Sequence, residues 1–243
     1  MTRAMPSEGA AIRPSARLTR HFQLLGALVA MEVFNPLMAK ATPIERLVSI
    51  GLFFVVCVTV FRALFSTARR RWIGTGLAGI TIAIDLTRIF ASRDLQLSLD
   101  ALLNVTASAF YVFVLSVIIR QVFNARRLRL DDVVGAFSGY ILIALFWGRL
   151  YVLAWMLIPT SFNISPDIRW ELQSWSTLHA LFDYFSFTTI TSIGYADITT
   201  VGPVSDAMVW LEVMCGQFYM AVVVATIVGM KVAEALSSPQ RGN

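Results

Sequence analysis

Long apolar runs dominate this chain and are separated by short polar segments. Six runs hold roughly 20 mostly apolar residues each, the length that a helix needs to cross a hydrocarbon core of about 30 Å. They occupy residues 23–38, 47–64, 72–90, 101–119, 133–158 and 207–233. The pattern predicts an all-α membrane protein with six transmembrane helices.

One shorter apolar run lies between the fifth and sixth of these. Residues 176–191 read STLHALFDYFSFTTIT, and a helix of that length, rising about 1.5 Å per residue, is too short to cross the membrane. It is long enough to enter halfway and return. Non-helical backbone is tolerated at that depth only where it is buried in protein or lines a water-filled cavity. We therefore predict a re-entrant helix followed by an extended loop.

Basic residues are concentrated in alternate connections between the runs. They precede the first run, end or follow the second, follow the fourth and close the chain: Arg3, Arg13, Arg17, Arg20, Arg62, Arg69, Arg70, Arg71, Arg120, Arg126, Arg127, Arg129, Lys231 and Arg241. Basic loops stay on the cytoplasmic side of a membrane. We expect a multi-pass protein of the cell membrane with both termini cytoplasmic. The net charge of +5 then reflects orientation, and no nucleic-acid partner is expected.

The composition agrees with a membrane protein. Of 243 residues, 57% are hydrophobic and 14% are charged, a balance that a soluble domain could hardly sustain. Cys57 and Cys215 both fall inside apolar runs, where cysteine behaves as a small apolar residue. The sequence contains no apparent nucleophile and base, metal-ligand spacing or phosphate-binding loop. We expect neither an enzyme nor a cofactor.

The segment after the re-entrant run has the order of an ion-selectivity filter. Residues 191–197, here called the filter loop, read TSIGYAD. A conducting pore needs consecutive backbone carbonyls that face one axis, with hydroxyl-bearing residues at the inner end and a large aromatic residue anchoring the outer end. Ser192, Ile193, Gly194 and Tyr195 follow that order.

The filter loop resembles that of tetrameric potassium channels, which carry TVGYG. Thr191, Ser192, Ile193, Gly194, Tyr195, Ala196 and Asp197 stand where that family has T, T, V, G, Y, G and D. Tyr184 and Phe185 stand where such channels have an aromatic pair that braces the filter. More loosely, a pore module after four helices resembles that of bacterial six-span ion channels with a two-helix pore.

The resemblance implies a function and an assembly. Four copies would form a homotetramer in the lipid bilayer with the pore on the symmetry axis. K⁺, the permeant ion, would bind the carbonyls of Ser192, Ile193, Gly194 and Tyr195, and the Ser192 hydroxyl would complete the innermost site. Asp197 would face the outer mouth of the pore and raise the local cation concentration. Its side chain would also bond back to the re-entrant helix.

Two departures from the family pattern leave the ion specificity open. Ser192 keeps the oxygen of the family's threonine but lacks its methyl group, so its side chain is less firmly oriented. Ala196 replaces a glycine, and a Cβ there costs about 1–2 kcal/mol if φ is positive. A potassium-selective channel is the first interpretation. The alternatives are a weakly selective monovalent cation channel and a non-conducting channel-like membrane protein.

Ionisable residues inside apolar runs are expected to face protein, because charge in lipid is unfavourable. Arg149 and Glu212 lie at similar depth and are expected to support the filter from behind, together with Asp183 and Thr188 of the re-entrant helix. Arg149 can pair with Glu212 or with Asp183, and independent contacts with backbone or water are an open alternative.

Gly216 and Gln217 are neighbours in the sixth apolar run. Gly216 is a candidate gating hinge, because it stands where the resembled family often has one. Glycine is also common in membrane helices because it permits close packing. Gln217 is the polar residue expected to face the permeation path or a neighbouring subunit.

The chain divides into a four-helix unit and a pore domain. Residues 1–20 and 236–243 are expected to be cytoplasmic tails, with no evident soluble ligand domain. Residues 21–128 form the four-helix unit and 129–235 the pore domain. The fourth run carries no basic residue before Arg120, so the unit lacks gating charges and is either sensor-like or a scaffold. Asp85 and Arg88 are spaced for a local ion pair.

Overall fold

The computed structural model describes residues 18–37, 43–64, 68–123, 130–168 and 175–237. These ranges contain the helices α1 Leu18–Leu37, α2 Pro43–Leu64, α3 Ala68–Phe90, α4 Arg93–Phe123, α5 Leu130–Leu157, α6 Trp175–Ile190 and α7 Pro203–Ser237. One helix overlaps each predicted apolar run, and the 16-residue α6 overlaps the predicted re-entrant segment. The predicted tails lie mostly outside the described residues.

Three segments among the described residues are long and apolar enough to cross a membrane by themselves: Leu95–Val122, Leu130–Leu157 and Pro203–Met230. Two others, His21–Phe34 and Ile50–Phe61, are shorter apolar helices. The protein is therefore a mostly helical membrane protein, while the count of six spans stays a prediction.

Of the first four helices, α1 and α4 make the most extensive contacts with the helices that follow. α4 packs along α5, and α1 packs along α5 and also reaches α6. Leu24 and Leu28 of α1, Phe110 of α4 and Leu145 of α5 are fully buried in one apolar cluster. Because lipid tails are as apolar as these side chains, van der Waals packing holds the helices together.

An ion pair links α3 to α4. The predicted local pair is present, with Arg88 Nη1 3.4 Å from Asp85 Oδ1. The guanidinium also reaches the neighbouring helix, where its Nε lies 2.7 Å from Oδ1 of the fully buried Asp100. Arg88 thus connects α3 to α4 by an ion pair.

A two-stranded antiparallel sheet lies at one end of the α5–α7 region. A short 3₁₀ turn, Pro159–Ser161, leads into β1, Phe162–Ile164, which pairs with β2, Ile198–Thr200. Beyond the strands, Ser165 N–H donates to Asp197 O at 2.8 Å. The loop that follows α5 is thereby tied to the chain that leaves the filter loop.

Candidate functional site

The filter loop begins where α6 ends and folds back onto the end of that helix. The backbone N–H of Ser192 donates to Thr189 O at 2.9 Å, and those of Ile193 and Gly194 donate to Thr188 O at 2.9 and 3.2 Å. These acceptors belong to the last turn of α6, whose carbonyls lack intrahelical partners. In a trans peptide the C=O points opposite to the N–H, so the carbonyls of Thr191, Ser192 and Ile193 point away from α6.

Backbone handedness alternates along the filter loop. Ser192, Gly194 and Ala196 have φ of 60°, 55° and 62°, and the intervening residues are not in the left-handed region. Successive carbonyls of an ordinary strand alternate sides, whereas alternating handedness turns successive N–H groups to one side and the carbonyls to the other. Ala196 therefore has the positive φ that makes its Cβ unfavourable. The loop presents a row of carbonyl oxygens, which can replace the hydration shell of a cation.

The outer end of the filter loop is braced by Tyr184 of α6. Its hydroxyl donates to Asp197 Oδ2 at 2.8 Å, which is the predicted bond from Asp197 to this helix. The ring of Tyr184 also stacks on that of Tyr195, with centroids 6.5 Å apart. Phe185 instead packs behind α6, with its ring centroid 5.0 Å from that of Tyr151. Of the predicted aromatic pair, Tyr184 contacts the loop and Phe185 fixes the helix.

A buried ion pair joins α5 to α6. Arg149 pairs with Asp183, and both side chains are buried. Of the two partners expected for Arg149, the structure shows Asp183, and Arg149 does not pair with Glu212. Gly148 makes the pair with Asp183 possible: a Cβ there would overlap Asp183 Oδ1. Glu32 of α1 also interacts electrostatically with both members of the pair.

Glu212 of α7 has other partners than the sequence suggested. Its Oε2 accepts from the Tyr151 hydroxyl at 2.5 Å, and its Oε1 contacts the Ser186 hydroxyl. The same hydroxyl lies 2.7 Å from Ala144 O of α5, and its single proton can serve only one of these two acceptors at a time. One fully buried carboxyl group therefore ties α5, α6 and α7 together behind the filter loop, through hydroxyl partners that sequence reasoning missed.

The inner end of the filter loop is held by α5 and α7. The Tyr140 hydroxyl of α5 donates to Ile190 O at 2.9 Å. Gly216 of α7 is buried against the Ile190 side chain, so the structure supports the close-packing alternative for this glycine, and its role as a hinge stays a prediction. Thr188 serves the loop through its backbone carbonyl, while its hydroxyl donates to Phe185 O at 2.9 Å.

Comparison with known proteins gives one family match. Residues 140–232 match a protein family described as ion channel. The matched segment runs from Tyr140 in α5 into α7 and contains α6 and the filter loop, about two-fifths of the chain. No curated protein and no solved structure gives a significant match. The match supports an ion channel in a membrane rather than an enzyme.

The contact at Gly216 predicts a stability difference between two glycines of α7. Gly216→Ala would place a Cβ against the side chain of Ile190, whereas Gly229 has nothing within 4 Å of an added Cβ. We expect Gly216→Ala to lower the thermal stability of the purified channel, by about 1–3 kcal/mol as for other overpacked positions. Gly229→Ala is the control and should be at least as stable as the wild type, because alanine is the better helix former. Equal melting temperatures for the two variants would show that α7 does not pack on Ile190.

Proposed function

We propose that this protein is a potassium-selective channel that conducts K⁺ passively through the filter loop. The backbone carbonyls of Ser192, Ile193, Gly194 and Tyr195 coordinate the dehydrated ion, and the reaction involves no covalent or proton-transfer step. The observation that carries this proposal is the set of bonds from the N–H groups of Ser192, Ile193 and Gly194 to the end of α6. Those bonds turn the carbonyls of Thr191, Ser192 and Ile193 to the opposite side of the loop, and the alternating handedness supports the same direction for the carbonyls that follow.

We propose a homotetramer, in which one chain supplies one quarter of the pore. The Ile193 and Tyr195 side chains are 57% and 67% exposed in a single chain. Exposed non-helical backbone is unstable at membrane depth unless protein or a water-filled cavity surrounds it. Only 11% of the most apolar window of α7 is buried, which leaves a large surface for neighbouring copies. A closed ring of identical chains satisfies both requirements.

The proposed orientation places the outer mouth on the extracytoplasmic side. Six spans, with basic connections in the cytoplasm, put both termini inside and Asp197 outside. Asp197 is held by Tyr184, so its negative charge stays at the mouth, where it concentrates cations.

A less selective cation channel is the second candidate. Ser192 and Ala196 are non-glycine residues with positive φ, a strained conformation at each end of the ion path. Relaxation of either residue would turn a carbonyl away from the axis and weaken the discrimination between K⁺ and Na⁺.

Flux measurements on liposomes separate these candidates. The purified chain, verified as a tetramer, is placed in K⁺-loaded liposomes in Na⁺ medium, and efflux is followed with a potential-sensitive dye. Potassium efflux that generates a membrane potential supports the first candidate. Equal K⁺ and Na⁺ flux supports the second candidate, and no flux from a verified tetramer means that the protein is a non-conducting relative.

A further inference from the structure

A side-chain contact connects α7 to the inner end of the filter loop. Gln217 Nε2 lies 3.5 Å from Ser192 Oγ, with the amide as donor. The neighbouring hydroxyl is used differently, because Thr191 Oγ1 donates to Phe187 O of α6 at 2.6 Å. Ser192 is therefore the hydroxyl of the filter loop that faces α7.

The rotation of α7 that brings Gln217 to this place is fixed by two other contacts. Gly216 packs against Ile190 of α6, and the Tyr219 hydroxyl donates to Ala136 O of α5 at 2.7 Å. Residues three positions apart share one helix face, so this face of α7 is clamped to α5 and α6. Gln217 follows Gly216 by one residue, about 100° around the helix, and so points past the clamped face toward the loop.

The Ser192 side chain needs a contact with another residue to fix the direction of its hydroxyl. Threonine has two heavy atoms on Cβ, which restrict its χ1, whereas serine has one and lacks that restriction. A hydroxyl has one proton and two lone pairs. A donor that occupies one lone pair and fixes the rotamer leaves the other lone pair for a cation.

We propose that Gln217 is a specificity-determining residue of this channel. Its amide holds the Ser192 hydroxyl oxygen in the direction that a threonine methyl would otherwise impose, and so preserves the innermost potassium site. This inference rests on the proposed potassium conduction. Gln217 acts through Ser192 and is a positioning residue, which makes the outcome dependent on the residue at position 192.

The test replaces the amide by a side chain of similar length without a donor. In Gln217→Met, the ratio of Na⁺ to K⁺ permeability, measured from reversal potentials, should rise by up to about fivefold, the upper limit set by the loss of one ordinary hydrogen bond. Gln96→Met makes the same change at an amide that bonds Ala91 O at the α3–α4 turn, and should leave the ratio unchanged. An unchanged ratio in Gln217→Met would overturn the proposal.

Ser192→Thr decides whether Gln217 acts through the hydroxyl. Added to Gln217→Met, it should return the permeability ratio toward the wild-type value, because the methyl group restores the orientation. Added to the native chain, it should change little, because the hydroxyl is already held. Failure of the rescue, or a marked gain in selectivity from Ser192→Thr alone, would refute the proposal.

If Gln217→Met does not assemble, Ser192→Thr in the native chain can still refute the proposal, by a marked gain in selectivity. Failure of this inference is distinct from failure of the proposed function. A wild-type tetramer that passes no K⁺ overturns the function, whereas a selective wild type with an unaltered Gln217→Met variant overturns only the role of Gln217.

Discussion

Gly194→Ala is expected to abolish selective potassium flux while leaving the tetramer assembled. Gly194 has φ of 55° in the middle of the filter loop, where a Cβ costs about 1–2 kcal/mol. Each of the four chains of the proposed tetramer would carry this conformational cost, in addition to the backbone strain at Ser192 and Ala196. Relaxation of the backbone would turn carbonyls from the axis. The measurement is the K⁺ and Na⁺ flux of the variant in liposomes at matched tetramer content.

Gly202→Ala is the matched control for this experiment. Gly202 also has positive φ, 101°, and nothing within 4 Å of an added Cβ, but it lies beyond β2 and outside the filter loop. It should carry a similar backbone cost without loss of selectivity. Should Gly194→Ala keep the wild-type K⁺ to Na⁺ ratio, the carbonyls of this loop do not select the ion.

Arg149→Met is expected to give the largest loss of stability. It removes the cation of a buried pair and leaves the Asp183 carboxylate uncompensated, a change that typically costs about 3–5 kcal/mol. Asp183→Asn should also lower stability, because it leaves the buried Arg149 guanidinium without its carboxylate partner. Thermal unfolding, followed by the fraction of tetramer that remains after heating, measures the difference.

The double variant shows whether the pair itself is responsible. Arg149→Met combined with Asp183→Asn removes both charges and should recover part of the stability lost in Arg149→Met. Arg120→Met, at an exposed arginine near the end of α4, is the control and should change stability by no more than about 0.5 kcal/mol. A double variant no more stable than Arg149→Met would contradict direct coupling between the two side chains.

Helix positions follow closely from the sequence, because membrane thickness sets the length of an apolar run. Each of the six runs and the re-entrant segment corresponds to one helix. The ends are less well predicted. The fourth run begins at residue 101, whereas α4 begins at Arg93. Hydropathy marks the part of a helix that can lie in lipid, and polar residues continue the helix beyond it.

Partner choice behind the filter loop could not be predicted. Arg149, Asp183 and Glu212 were recognised as candidates, but their depth along the helices is similar. The close approach at Gly148 decides the pairing, and that is a tertiary effect. The β1–β2 pair was missed as well, since strands of three residues are too short to show a period-two pattern.

Whether Ala196 adopts a positive φ could not be decided from the sequence and is answered by the structure. The sequence predicts a conflict between alanine and a backbone conformation that favours glycine. The structure keeps the conformation, with φ of 62°, while the neighbouring Asp197 is held by Tyr184 and by the N–H of Ser165. Ala196 thus keeps a positive φ that normally favours glycine. Such strained residues occur at functional sites, where surrounding contacts hold them in place.

The most direct test of the account is the reversal potential of the wild-type tetramer in a planar bilayer, with K⁺ on one side and Na⁺ on the other. Selective conduction through the filter loop predicts a shift of about 59 mV for each tenfold change in K⁺ concentration, the value for a monovalent ion. A reversal potential that responds equally to Na⁺ and K⁺, or an assembled tetramer that carries no current, would contradict it.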